Sequence, residues 1–249
     1  MLLLYILFIV AVGAWLAKSR STDWDKPLNV IVYSINGDGS EVSSNYIGEL
    51  EETDFETIET FFAAEASRYG LPLSKPVDIV LAGTLDARPP LPPRNGSTLS
   101  IMIWSLKLRY WAWQNDDYPY LQDVQIFVQY YDPKTSPTVA HSLGLQKGLL
   151  GVVNAFARDD MKQENNIVIA HELLHTLGAI DKYDPANNMP LYPIGYAEPD
   201  KEPLHPQGKA EIMAGRFIDE NNKLKQPRNL EKVVVGRATA LDINWLQDY

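Results

Sequence analysis

Four stretches of the chain have the pattern of β-strands. Residues 28–35 alternate and are rich in branched side chains, which favour an extended backbone. The same pattern predicts strands over 77–82 and 123–131. A fourth strand is predicted over 148–156, where the glycines are compatible with an edge position or with the close approach of another backbone.

Apolar residues recur at helical spacing between and after these strands. Asn165 and Asn166 are expected to cap the third of these helices, which is predicted over 167–177. Gly178 is expected to end it, because only glycine enters the left-handed region without strain. The tryptophans Trp104, Trp111 and Trp113 in the second helix are expected to be core residues. Helices are predicted over 53–69, 98–113, 167–177 and 237–246.

Strands and helices in this order predict one α/β (α+β) domain with a mixed, twisted sheet and helices packed against it. Residues 181–207 are rich in proline, aspartate and tyrosine and are expected to form one long loop. Loops of this length in a compact domain are usually functional or mobile.

The N-terminus has a different composition from the rest of the chain. Residues 1–17 carry no charge and are rich in Leu, Ile and Val, and Lys18 and Arg20 follow. We therefore predict a single-pass membrane anchor or a signal segment over 1–20, a polar tether over 21–27 and one domain over 28–249. The domain is expected outside the cytoplasm, and secreted or periplasmic if the segment is cleaved, although the two flanking basic residues favour the opposite side.

Charge and cysteine content exclude several classes of protein. The net charge of -10 argues against nucleic acid as a partner, because nucleic-acid-binding domains usually carry a basic face. The chain has no cysteine, which excludes disulfides, thiolate metal sites and cysteine nucleophiles. A transition metal would have to be held by histidines and carboxylates.

A His-Glu-x-x-His pattern lies in the third predicted helix. Residues four apart lie one helical turn above each other, so His171 and His175 can direct their imidazoles at a common point. Two neutral histidines and a third protein ligand leave one position on a zinc ion for water. Glu172 can take a proton from that water and later return it to a leaving amine.

The run from His171 to Asp181 resembles the extended metzincin motif HExxHxxGxxH, with Asp181 at the position of the third histidine, as in the snapalysin type. The resemblance implies a zincin-like fold and zinc held by His171, His175 and Asp181. It also implies that Met213, in Glu-Ile-Met-Ala-Gly, forms a supporting Met-turn beneath the metal. By the same resemblance, the strand over 148–156 would be the edge strand along which a peptide or protein substrate lies.

The identity of the third ligand stays open at this point. Asp184 and His205 are rivals in the same long loop, and Glu202 and Glu211 are weaker candidates. Tyr183 could donate a hydrogen bond to a developing oxyanion.

Together these features predict a zinc metallopeptidase, with a peptide or protein as its substrate and a membrane contacted by the N-terminal segment. The alternative is a catalytically inactive, zincin-fold binding or scaffolding protein at the membrane. The presence of Glu172 counts against that alternative, because a protein that does not hydrolyse has no need of this carboxylate.

Overall fold

The computed structural model describes residues 22–93, 97–146 and 148–247. The predicted strands over 28–35, 77–82 and 123–131 are confirmed. The helix predicted over 237–246 is shorter than expected and ends at Asp242. In chain order the main elements are β1 (Leu28–Asn36), α1 (Glu41–Gly48), α2 (Glu56–Arg68), β2 (Val77–Leu85), α3 (Thr98–Gln114), β3 (Val124–Tyr131), β4 (Leu143–Leu145), β5 (Leu150–Phe156) and α4 (Lys162–Leu177). The C-terminal part contains β6 (Ala210–Glu211), β7 (Phe217–Ile218), β8 (Leu224–Lys225), β9 (Val233–Val234) and α5 (Arg237–Asp242).

Within the described residues, five strands form the main sheet in the order β2-β1-β3-β5-β4. Strands β1, β2, β3 and β5 pair in parallel, and β4 pairs antiparallel with β5. The sheet is therefore mixed, as predicted.

The prediction that the strand over 148–156 lies at the edge is wrong. Strand β5, which corresponds to it, lies between β3 and β4. The edge strand on this side of the sheet is β4, whose three residues Leu-Gly-Leu are too few to show an alternating pattern.

Helices cover both faces of the sheet, because alternate residues of each strand point to opposite sides. On one face, Val30 and Val32 of β1 join a core that also contains the apolar residues of α2 and α4. On the other face, Ile31 and Tyr33 pack with Ala112 of α3. Strand β1 is buried over almost its whole length because both of its faces are covered. Strands in this position have nearly continuous apolar sequences.

Helix α3 contacts the sheet through only one of its faces. Trp104, Leu108 and Ala112 are buried at successive helical turns. Trp111 is partly buried, but Trp113 is largely exposed, so the expectation that all three tryptophans are core residues is wrong for Trp113.

Trp24 lies within the segment predicted to be a tether, and it is a core residue. Its ring packs edge-on against Trp245 at 5.5 Å between centroids, and its Nε1–H donates to the carbonyl of Ile243 at 2.8 Å. The predicted anchor over 1–20 lies outside the described residues. Among those that are described, no helix combines the length and the apolar character that crossing a membrane requires.

Helix α4 begins at Lys162, several residues before the predicted start, and the two asparagines do not cap it. Asn165 accepts a hydrogen bond from the backbone N–H of Phe156 at 3.1 Å and donates to its carbonyl at 2.9 Å. Asn166 donates to the carbonyl of Asp54 at 2.7 Å. Both amides lie inside the helix and attach it to its neighbours. The run Lys-Gln-Glu-Asn-Asn has no apolar residue, so periodicity could not reveal this first turn.

Candidate metal centre

His171 and His175 lie one turn apart on α4, and their ring centroids are 4.7 Å apart. The neighbouring residues Ala170, Leu173 and Leu174 are buried in the core, so the backbone that carries both histidines is held by packing against the sheet. The helix therefore directs both imidazoles to one side.

Backbone carbonyls fix the orientation of both rings. The Nδ1 of His171 is 2.9 Å from the carbonyl oxygen of Ile212, and the Nδ1 of His175 is 2.8 Å from that of Ala179. A carbonyl only accepts hydrogen bonds, so each Nδ1 carries the proton. In the neutral rings each Nε2 therefore presents a lone pair, the form in which histidine binds metals.

Gly178 allows the chain to turn back toward these nitrogens. It ends α4 with φ of 111°, a conformation that residues with a side chain rarely adopt, as predicted for this position. Asp181 then lies beside both rings. Its Oδ1 is 3.3 Å from the Nε2 of His171 and 3.2 Å from the Nε2 of His175. The three side chains have ligand atoms that all lie within 4.8 Å of one another.

The two distances from Asp181 Oδ1 match those between neighbouring ligands of a tetrahedral zinc ion. Ligand atoms about 2.0–2.1 Å from a tetrahedral ion are roughly 3.3–3.4 Å from each other. The charges also favour a cation, since two nitrogen lone pairs and a carboxylate oxygen facing one another repel unless a proton or a metal ion lies between them. Burial raises the pKa of Asp181, but when the Nε2 of each imidazole carries a proton, the hydrogen bonds and charges of the two rings hold that pKa well below its usual range.

Glu172 is buried beside the two histidines. Its Oε2 has no hydrogen-bond partner among the described residues, which is unusual because a buried polar atom without a partner costs free energy. Burial raises the pKa of Glu172 above its ordinary value, although the nearby imidazoles lower it in part. A carboxylate in this state is suited to accepting and returning a proton.

Met213 lies in a tight turn that contacts both parts of the cluster. The turn is closed by hydrogen bonds from the N–H groups of Ala214 and Gly215 to the carbonyl of Glu211. The carbonyl of Ile212 orients His171, and the carbonyl of Met213 accepts from the N–H of Lys182 at 2.9 Å. Met213 is fully buried, and the turn connects the helix to the segment that carries Asp181.

Glu211 and Lys182 attach this region to α5. The carboxylate of Glu211 accepts from Thr239 Oγ1 at 2.6 Å and from the Gly236 N–H at 3.1 Å. Lys182, which follows Asp181 directly, is buried and pairs with Asp242. The C-terminal helix thus holds both the turn and the backbone next to Asp181.

The rival ligands lie outside the cluster. The Oδ1 of Asp184 accepts from the N–H of Ala186 at 2.9 Å within its own turn. His205 packs against Tyr196 at 5.8 Å between centroids, and the carboxylate of Glu211 is occupied by the bonds to α5. Glu202 is exposed and is not part of the cluster. The structure therefore brings together His171, His175 and Asp181 as predicted.

The hydroxyl of Tyr183 lies close enough to the candidate metal centre to be affected by the charges of that centre. Burial raises the pKa of Tyr183, and the charges of Asp181 and Glu172 and a hydrogen bond to Asp181 raise it further. The hydroxyl therefore keeps its proton at neutral pH and donates it to Asp181.

Gly144 is a residue of the site that the sequence analysis did not identify. A Cβ at this position would lie 2.5 Å from the carbonyl oxygen of Glu172 and 2.5 Å from the Cβ of His175. Only a glycine lets the edge strand β4 approach the helix this closely. The signal in the sequence was a single glycine between two leucines, which is too common to indicate a close contact.

Comparison with known proteins adds no assignment, since no family model and no curated protein matches this chain.

Proposed function

We propose that this chain is a zinc-dependent peptidase of the metzincin-like kind. The single observation that carries the proposal is the convergence of two imidazole Nε2 atoms and one carboxylate oxygen beside a buried glutamate. Both rings are held by carbonyls in the tautomer that binds metal, and Glu172 has a carboxylate oxygen without a partner in the described part of the chain.

His171, His175 and Asp181 would hold the ion. Zinc in such a site supplies Lewis acidity and makes water acidic near neutral pH. Glu172 accepts the proton of the attacking water and returns it to the leaving amine, a role that its raised pKa supports. The hydroxyl of Tyr183 would exchange its hydrogen bond to Asp181 for one to the oxyanion.

The fold supports the same proposal. A mixed sheet, a helix carrying both histidines, a buried methionine in a tight turn and a small C-terminal helix are what the resemblance to metzincins implies. In a zincin-like fold the substrate would extend along β4, which is the edge strand and contacts the helix at Gly144.

Metal content and proteolysis test the proposal together. We expect about one zinc per chain in the purified protein and cleavage of an unstructured protein substrate that stops when a chelator is added. Glu172→Gln should retain the zinc and lose activity by at least about 100-fold, because the general base is removed while the ligands remain. Glu164→Gln, at the start of the same helix, is the matched control and should behave as the wild type.

Three results would contradict parts of this proposal. A folded protein without stoichiometric zinc under replete conditions would remove the metal site. Full activity in Glu172→Gln would remove the role of the glutamate. Zinc without any cleavage over a broad set of substrates would instead favour the binding or scaffolding protein.

A further inference from the structure

Helix α3 exposes an apolar stripe on the side that faces away from the sheet. The stripe consists of residues spaced three and four apart, which lie on one face of a helix. Each is between 59% and 72% exposed, and the members are Leu99, Met102, Leu106, Tyr110 and Trp113.

The buried side of α3 is a different set of residues. Trp104, Leu108 and Ala112 pack against the sheet, and they lie about 160° around the helix from the stripe at 100° per residue. A surface helix normally carries polar residues opposite its buried face. The stripe runs over almost the whole length of the helix, and contiguous apolar surface of this kind marks an interaction site.

Helix α3 differs in charge from the chain as a whole. It carries Lys107 and Arg109 and no acidic residue, with Asp116 and Asp117 just after its end, whereas the whole chain has a net charge of -10. Lys107 is exposed next to the stripe. A locally basic, apolar surface complements an anionic lipid headgroup layer, and the rest of the acidic protein does not.

The types of residue in the stripe also match a lipid interface. Leucine and methionine side chains enter the acyl boundary, and tyrosine and tryptophan are enriched at the level of the headgroups. The sequence separately predicts a membrane contact, through the uncharged residues 1–17. A helix lying in the plane of the same bilayer is consistent with that prediction.

We propose that α3 docks on the surface of an anionic membrane, with the stripe inserted between the headgroups and Lys107 at their level. This proposal does not depend on the proposed peptidase activity. The docked helix also orients the candidate metal centre. Trp104 and Leu108 on its inner side pack with Leu143 and Leu145 of β4, so the edge strand lies directly behind the docked helix.

Site-directed labelling of the full chain tests this docking. Because the chain has no cysteine, Leu106→Cys provides a unique site for a nitroxide label. The matched control is Ser67→Cys, an exposed position on α2, which packs on the opposite face of the sheet. Both labelled proteins are reconstituted into vesicles of 70% phosphatidylcholine and 30% phosphatidylglycerol. Collision of the nitroxide with oxygen and with a water-soluble nickel complex is then measured.

In the docked protein the label at position 106 collides often with oxygen and rarely with nickel, while the label at position 67 remains accessible to nickel. In the same vesicles Lys107→Gln, combined with the label at position 106, shifts the equilibrium toward the undocked form by about fivefold, the loss expected for one basic residue at an anionic surface.

Two outcomes overturn the proposal. Equal access of nickel to both labels means that the stripe faces water. Protection of position 106 from both reagents means that protein covers the stripe, either a second copy of the chain or its own N-terminal segment.

Discussion

Asp181 and Asp184 lie three positions apart in the same loop but have different environments. Asp181 contacts the Nε2 atoms of both histidines, at 3.3 and 3.2 Å, whereas Asp184 accepts a hydrogen bond from the N–H of Ala186. Loss of a residue that hydrogen-bonds a metal ligand weakens metal binding by roughly 10–100-fold. We expect Asp181→Asn to weaken zinc binding by more than this, because a neutral amide replaces a charged ligand. Competition with a chromogenic chelator measures the affinity.

Asp184→Asn is the matched control for this measurement. An asparagine retains the oxygen that accepts from Ala186, so the turn and the zinc affinity should not change. If Asp184→Asn weakens zinc binding and Asp181→Asn does not, the assignment of the third ligand is reversed.

Lys182 and Asp242 form an ion pair that supports the segment next to Asp181. Lys182 is almost fully buried, and Asp242 also accepts from the N–H of Ile180 at 3.3 Å. Asp242→Ala leaves the buried ammonium unpaired. We expect a loss of about 3 kcal/mol, the lower end of the range for such pairs because Asp242 is partly exposed. Unfolding in urea measures the change in stability.

The double variant Lys182→Met/Asp242→Leu separates the charge from the packing. Removing both partners leaves no unpaired charge, so most of the lost stability should return. A double variant as unstable as Asp242→Ala would show that the ion pair is not the cause.

At the scale of the elements, the contact between β4 and α4 depends on Gly144. Alanine at this position would bring a Cβ within 2.5 Å of the helix backbone and of His175. We expect Gly144→Ala to destabilise the fold by about 1–3 kcal/mol, the usual cost of overpacking, because either the strand or the helix must move. Equilibrium unfolding in urea provides the measurement.

Gly48→Ala is the control for this substitution. Gly48 is the last residue of α1, and no atom lies within 4 Å of the position that its Cβ would take. We expect no loss of stability there, and a gain of up to about 1 kcal/mol because alanine is favoured over glycine in a helix. Equal effects at both positions would argue against the close contact at β4.

The sequence predicted the elements whose periodicity is long enough to be recognised. Strands β1, β2 and β3 and the histidine-bearing part of α4 were predicted because their apolar positions repeat, and Gly178 because the left-handed region restricts the choice of residue. Strand β4 was missed because three residues have no measurable period. The first turn of α4 was missed because it consists of polar residues that make tertiary hydrogen bonds.

The site could be predicted only as far as local geometry defines it. The spacing of His171 and His175 is a property of one helix, and both were predicted. The hydrogen bond from His171 to Ile212 joins residues 41 positions apart, and the contact of Gly144 with α4 crosses between elements. Such contacts depend on the tertiary fold, and one sequence does not reveal them.

At the scale of the whole molecule, zinc binding should stabilise the folded chain. The ligands come from α4 and from the loop after it, and α5 and the turn at Met213 hold that loop. An unfolded chain does not assemble these groups, so zinc at roughly 1,000 times its dissociation constant adds about 4 kcal/mol. For a chain of this size we expect the melting temperature to fall by about 8–16 °C when a chelator removes the metal.

Differential scanning calorimetry at neutral pH measures this difference. Asp181→Asn is the control, because a variant that binds zinc weakly should melt at nearly the same temperature with and without the chelator. The expectation fails if the wild type melts at one temperature in both conditions while chemical analysis shows that the zinc has been removed.

The distance along the chain between His171 and the carbonyl that orients it has a consequence for biosynthesis. A ribosome completes the helix before it adds Ile212, so the imidazole of the growing polypeptide lacks its orienting acceptor. The Asp242 that pairs with Lys182 is added later still. Translation must therefore pass residue 242 before all the groups that orient the cluster exist, and a truncated product that ends before residue 212 would be synthesised without a preorganised centre.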